Sequence, residues 1–121
     1  MKYLCLLYGN QRAMSKLSKE QFAALGEQCK AHDAELHRTG AVVRVETLEW
    51  DVTTVRARNG KPVVTDGPFV ETRDVVASVL VIEARDLNEA IRIASLHPAA
   101  NLGEDLGMGI EIRPFAAACH Q

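Results

Sequence analysis

Residues 52–69 read Val-Thr-Thr-Val-Arg-Ala-Arg-Asn-Gly-Lys-Pro-Val-Val-Thr-Asp-Gly-Pro-Phe. Asn59-Gly60 joins two arms rich in β-branched residues, and an Asn-Gly link supplies the two positive-φ positions that a type I′ turn demands. The spacing therefore predicts a β-hairpin over 52–65. Pro62 lacks a backbone N–H and marks its arm as an edge. The hairpin runs out into Asp66-Gly67-Pro68-Phe69. There Asp can cap its own backbone, Gly accepts positive φ and Pro fixes φ, which is all a tight loop requires. Phe69 directly after the proline, with Glu71 and Thr72 beyond it, is more than a loop needs. A ring and two carboxylates on a stiffened segment are how the edge of a binding pocket is built.

Outward from the hairpin, residues 75–83 (Val-Val-Ala-Ser-Val-Leu-Val-Ile-Glu) and 2–8 (Lys-Tyr-Leu-Cys-Leu-Leu-Tyr) are nearly continuous apolar runs, as expected of central strands. Residues 41–49 and 109–113 alternate, with Val43 and Val45 on one face against Arg44 and Glu46 on the other, the pattern of half-exposed strands. Ser18 with Gln21 forms a capping box, flanked by Leu17 and Phe22 as a hydrophobic staple, so a helix starts near residue 19 and Gly40 stops it. Phe22, Leu25, Cys29, His32 and Leu36 recur at spacings of three and four on its inward stripe. Asp86 and Glu89 repeat the capping logic for a second helix that turns Leu87, Ala90, Ile91 and Ala94 inward and ends before Pro98.

The order is strand, helix, strand, hairpin, strand, helix, strand. Without the hairpin it is βαββαβ, the ferredoxin-like α+β arrangement, in which both helices cover one face of one sheet. The uncovered face needs a partner, and a two-fold homodimer of packed sheets, a dimeric α+β barrel, is the expectation. A chain of 121 residues, 47% hydrophobic and 25% charged, makes a single domain over 1–121.

Composition narrows the function classes. A net charge of -2 provides no field for a polyanion, and aromatics at 5% are too sparse for base stacking, so nucleic acid is not an expected partner. The apolar run at the N-terminus is cut at Gly9-Asn10, too early for a signal-peptide core or a membrane span. Cys5, Cys29 and Cys119 are odd in number without C-x-x-C spacing, and His32, His37, His97 and His120 are scattered. These patterns predict no disulfide framework, no structural zinc site, no cofactor and a reducing cytoplasm. The two acids of Leu102-Gly-Glu-Asp-Leu-Gly-Met-Gly109 would repel a phosphate, so this segment reads as a loop feeding the last strand, with Met108 placed to cover a cleft or a dimer seam.

Taken together, Lys2-Tyr-Leu-Cys-Leu-Leu-Tyr-Gly9, the hairpin into Asp66-Gly67-Pro68-Phe69 with Glu71-Thr72, the His97-Pro98 pair and Ile112-Arg113-Pro114 resemble the YCII-related proteins, and within them the group named for its DGPF motif. The resemblance covers nearly the whole chain. It implies a dimeric ferredoxin-like fold and a cleft, in a family mostly of unknown activity. Some members are encoded beside sigma factors, and a few relatives process chlorinated aromatic or lactone substrates through a His and Asp pair. At the helix position where such relatives carry an acid-base His this chain has Cys29, and His32 stands one turn later in an aromatic slot.

Two candidates could carry acid-base chemistry. Asp66 is either a turn cap or a general base at a cleft mouth. His97 either caps the last helix carbonyls, where the macrodipole favours its protonated form, or donates a proton toward the loop. Cys29 and His32, three apart on one stripe, either pack as core or form a reactive thiol pair. Tyr8, Phe69, Glu71 and Arg113 are the remaining ligand-binding candidates, with core packing, lid packing and solvated charge as their plainer roles. The expected function is a small-molecule-binding cytoplasmic homodimer with its cleft at the 64–72 turn. The alternatives are elimination, isomerisation or hydrolysis of a small cyclic or aromatic acid held by Arg44 or Arg113, and a regulatory partner of a sigma factor.

Overall fold

In the computed structural model, which describes residues 1–116, β1 (Lys2–Gly9) leads through a short α1 (Gln11–Ser15) to the long α2 (Lys19–Arg38). There follow β2 (Val42–Thr47), the hairpin β3 (Thr53–Arg58) and β4 (Lys61–Asp66), then β5 (Val75–Glu83), α3 (Leu87–Ala94) and β6 (Gly109–Pro114). Two 3-10 turns, Pro98–Ala100 and Glu104–Leu106, lie between α3 and β6. The main sheet is antiparallel with order β2-β5-β1-β6, and the hairpin forms a separate two-stranded sheet. The βαββαβ reading holds, with the two apolar runs at the centre. Cys119 and His120 lie outside the described residues. Among the described residues no helix is long and apolar enough to cross a membrane.

Local chemistry explains the boundaries that the sequence marks. Ser18 Oγ accepts from the Gln21 amide at 3.0 Å while Gln21 Oε1 accepts from the Ser18 amide at 2.9 Å, closing the capping box of α2. Asp86 caps α3 through the Glu89 amide, but the Glu89 carboxylate returns to the amide of Arg85 instead of Asp86. At the hairpin tip Asn59 and Gly60 hold φ of 53° and 76°, the left-handed pair that a type I′ turn requires.

The core lies between the sheet and the helices. Tyr3, Cys5 and Leu7 of β1 and Leu80 and Ile82 of β5 pack against Leu36 of α2 and Ala90, Ile93 and Ala94 of α3. The inward stripes differ from expectation in detail. Phe22 is 60% exposed, and of the 20-residue α2 only Leu36, near its C-terminus, is fully buried. In α3, Ile93 turns inward while Leu87 and Ile91 remain exposed. A bulge between Val42 and Arg44 interrupts the simple alternation of β2, so that Val45 pairs with Leu80 but stays half-exposed at the sheet edge. Met108 packs onto the core. The segment leading to it turns on left-handed Gly103 and Gly107.

Candidate functional site

Two recesses share a wall at the hairpin exit. The larger, of about 1180 Å³, is lined by Asp66, Gly67, Pro68 and Glu71 on one side and by the start of α1 and the Glu104–Gly107 loop on the other. The smaller, of about 790 Å³, is lined by Tyr8, Leu48, Phe69, Val70, Val76 and Glu111 among others. Asp51, Val52, Pro68, Thr72, Asp74 and Val75 contribute to both.

The turn that divides them is anchored from the hairpin. Thr54, buried in β3, donates its hydroxyl to the Gly67 carbonyl at 2.6 Å, and the Gly67 amide donates to the Val52 carbonyl at 2.8 Å. Gly67 sits at φ 114°, which favours glycine. The expected cap from Asp66 is absent among the described residues. Thr54 holds the turn, and Asp66 lines the larger recess. Phe69 is 64% exposed, and the Arg56 guanidinium of β3 stacks over its ring at 4.9 Å from the centroid.

The opposite wall depends on Asn10. Its Oδ1 accepts from the Ala13 amide at 2.9 Å and so caps α1, its Nδ2 donates to Asp74 Oδ1 at 3.2 Å, and its amide donates to the Leu106 carbonyl at 2.9 Å. The side chain and the backbone N–H of this one residue thereby tie three segments of the wall together. Gly107, at φ 69°, passes so close that a Cβ there would overlap the Asp74 carboxylate.

In the smaller recess the reactive groups come from the sheet. Tyr8 pairs with Gly109 and Glu111 with Leu6, which makes Tyr8 and Glu111 diagonal neighbours on the face away from the helices. The neighbouring Glu111 carboxylate raises the phenol pKa above its ordinary value, with burial acting the same way and the Arg113 charge opposing. Arg113 stands two residues along the same face, and Arg44 is paired with Glu46 at 2.6 Å on the opposite edge. The lining carries Glu49, Asp51, Asp74 and Glu111 and no lysine or arginine. This arrangement favours an apolar, ring-bearing ligand that is neutral or cationic over a carboxylate.

The structure divides the sequence candidates into two groups. Asp66 and Glu71 line the larger recess and Tyr8 and Phe69 the smaller, while Arg113 lines neither and acts only through its charge on Tyr8. His97, Cys29 and His32 line neither recess. His97 follows α3 and feels Asp33, His32 and His37 of α2. It does not cap the last carbonyls of α3. Its Nδ1 instead accepts from the Ala99 amide at 2.9 Å, capping the Pro98–Ala100 turn. That bond needs an unprotonated nitrogen, and burial lowers the His97 pKa, with His32 and His37 adding to the effect and Asp33 opposing it. Burial and the Asp33 charge raise the Cys29 pKa, the direction opposite to activation. Burial pushes the Cys5 thiol up to about 11.

Sequence reasoning missed Glu111, Asn10 and Asp74. The alternation of 109–113 placed Glu111 beside Arg113, but only the pairing of β1 with β6 brings it to Tyr8. Asn10 before a short helix is a cap signal that was available, although its reach to Asp74 spans 64 residues.

The model of the YCII-related domain matches residues 1–116, and the chain belongs to that family. It is 29% identical over 118 residues to an uncharacterized protein of Rhizobium meliloti, covering 96% of this chain and 93% of the relative. Among solved structures it is similar to 5-chloro-2-hydroxyhydroquinone dehydrochlorinase from Burkholderia phenoliruptrix, determined in complex with 2,5-dihydroxybenzoquinone. The TM-score is 0.53 at 16% identity, with 99% of this chain and 98% of the other covered, a likeness of fold.

Proposed function

We propose that this YCII-related protein, of the DGPF-motif group, is a cytoplasmic homodimer that binds a small ring-bearing molecule at the turn Asp66-Gly67-Pro68-Phe69. The observation that carries the reading is the smaller recess, whose volume of about 790 Å³ suits one small molecule. Its apolar walls, Phe69, Val70 and Val76, take the ring, and Tyr8 with Glu111 orients a hydroxyl or amine. The similar fold of a dehydrochlorinase solved with a dihydroxybenzoquinone supports a ligand of this size. The homodimer reading rests on Leu4, Leu6, Val79 and Val81, which form an apolar strip on the sheet face that the helices leave uncovered. The free thiols of Cys5 and Cys29 suit a reducing compartment.

Ligand-observed NMR tests this reading with a panel of hydroquinone, catechol, tyramine and benzoate. Saturation transfer to the neutral or cationic members is expected, falling at least tenfold in Phe69→Ala. Equal signals from wild type and Phe69→Ala would sink it.

A second reading, acid-base catalysis in the same recess, is favoured by one feature. Tyr8 is a phenol held protonated beside the Glu111 carboxylate, a donor and an acceptor on one wall. It places the chemistry on Tyr8 and Glu111, without His97 and without Asp66, which lines the larger recess. Turnover of a ligand found in the panel, lost in Tyr8→Phe with binding retained, is the outcome it requires.

A further inference from the structure

The uncovered sheet face carries a charge pattern that bears on its partner. Strand pairing sets Arg44, Val81, Leu4 and Arg113 in one row across β2, β5, β1 and β6, and Glu46, Val79, Leu6 and Glu111 in the next. The apolar centre is thus bordered on both edges by arginine in one row and glutamate in the other.

Two copies facing each other about a two-fold axis can align in two ways. An axis along the strands sets Arg44 over Arg113 and Glu46 over Glu111 of the other copy, four like-charge encounters. An axis across the strands sets Arg44 over Glu46 and Arg113 over Glu111, four opposite-charge encounters. Facing like charges are costly and select against an arrangement, so the pattern specifies the second, with strands antiparallel between copies.

In that register Leu4 of one copy lies over Leu6 of the other, and one step outward Lys2 lies over Tyr8. Lys2 is exposed and projects from the same face, two residues before Leu4. The lining of the recess at Tyr8 has four carboxylates and no lysine or arginine, with Arg113 acting on Tyr8 from outside that lining. Lys2 is the cation that the facing copy would bring to it.

Building on the homodimer reading, we infer that the recess at Tyr8 is completed by Lys2 of a second copy, packed across the sheet face with antiparallel strands, so that each dimer contains two shared sites. Aligned sheets cross at roughly 30°, an offset that the long lysine side chain can span.

Cysteine pairing tests it. With Cys29 and Cys119 changed to Ser, one chain carrying Lys2→Cys and another carrying Tyr8→Cys are co-expressed and mildly oxidised. The expected result is a disulfide-linked heterodimer on a non-reducing gel. The pair Arg113→Cys with Glu111→Cys, on separate chains, is expected to link as well and leaves Tyr8 intact. Linkage of Tyr8→Cys to Val76→Cys, the pair that an axis along the strands would bring together, overturns the inference, as does the absence of linkage in both expected pairs. Light scattering on the wild-type chain separates the two readings. A dimer with the wrong linkage sinks only the shared site, and a monomer sinks the homodimer too.

Discussion

Asn10 Nδ2 donates to Asp74 Oδ1 at 3.2 Å, so the residue that caps α1 also holds the carboxylate at the wall common to both recesses. Asn10→Ala removes the cap of α1 and the tie to Asp74 together. A cap is worth about 1 kcal/mol, and a loss of 1–2 kcal/mol in urea unfolding is expected, roughly. Asn10→Asp should cost more than a conserved cap would suggest, because it sets a second carboxylate against Asp74.

Gly107 and Gly26 make opposite predictions for the same change. Gly107→Ala forces an L-residue to φ 69° and overlaps Asp74, and a loss of about 1–3 kcal/mol is expected. Gly26, in the middle of α2, has no heavy atom within 4 Å of a built Cβ. Gly26→Ala should therefore stabilise by about 0.5–1 kcal/mol. Thermal unfolding of the two variants side by side checks both signs.

Thr54→Val keeps the shape of the side chain and deletes the hydroxyl that binds the Gly67 carbonyl. Losing this partly buried bond costs about 1–2 kcal/mol. The turn should then move relative to the hairpin, and amide exchange at Gly67 and Phe69 should quicken more than exchange in β5.

The lowered pKa of His97 predicts loss of stability on acidification. The folded state prefers the neutral imidazole, so the unfolded chain takes up a proton first. The contribution is fully present above the ordinary value of 6.5, is lost as pH falls through the lower folded value, and is level below that. His97→Asn retains a short acceptor for the Ala99 amide and should flatten this part of the profile, measured by urea unfolding from pH 7.5 to 5 at roughly half-unit steps. His97→Ala should remove the slope and also lower stability at neutral pH.

Ultraviolet titration reports on Tyr8. Its phenol should ionise above the ordinary value of 10.0, and Glu111→Gln should bring the transition down, since the carboxylate is the largest cause of the shift. Unchanged titration in Glu111→Gln would separate the two side chains.

Short-range chemistry makes part of this protein legible in its sequence. The capping box of Ser18 and Gln21, the Asn59-Gly60 turn and the apolar runs 2–8 and 75–83 depend on neighbours a few residues away, and the structure contains all of them. Helix inward faces were less legible. Periodicity placed Phe22 on the stripe of α2, but how far that stripe overlies the sheet depends on where the helix docks.

The site lay further from reach. Sequence alone determined the βαββαβ order, the hairpin and the turn at Asp66, because propensity, capping and turn stereochemistry act within a few residues. Tertiary structure alone decided that Asp66 and His97 occupy different surroundings, that Glu111 meets Tyr8 and that Asn10 reaches Asp74. Those relations follow from strand order and register across the β2-β5-β1-β6 sheet, set by the collective burial of one face against two helices, which no local pattern encodes.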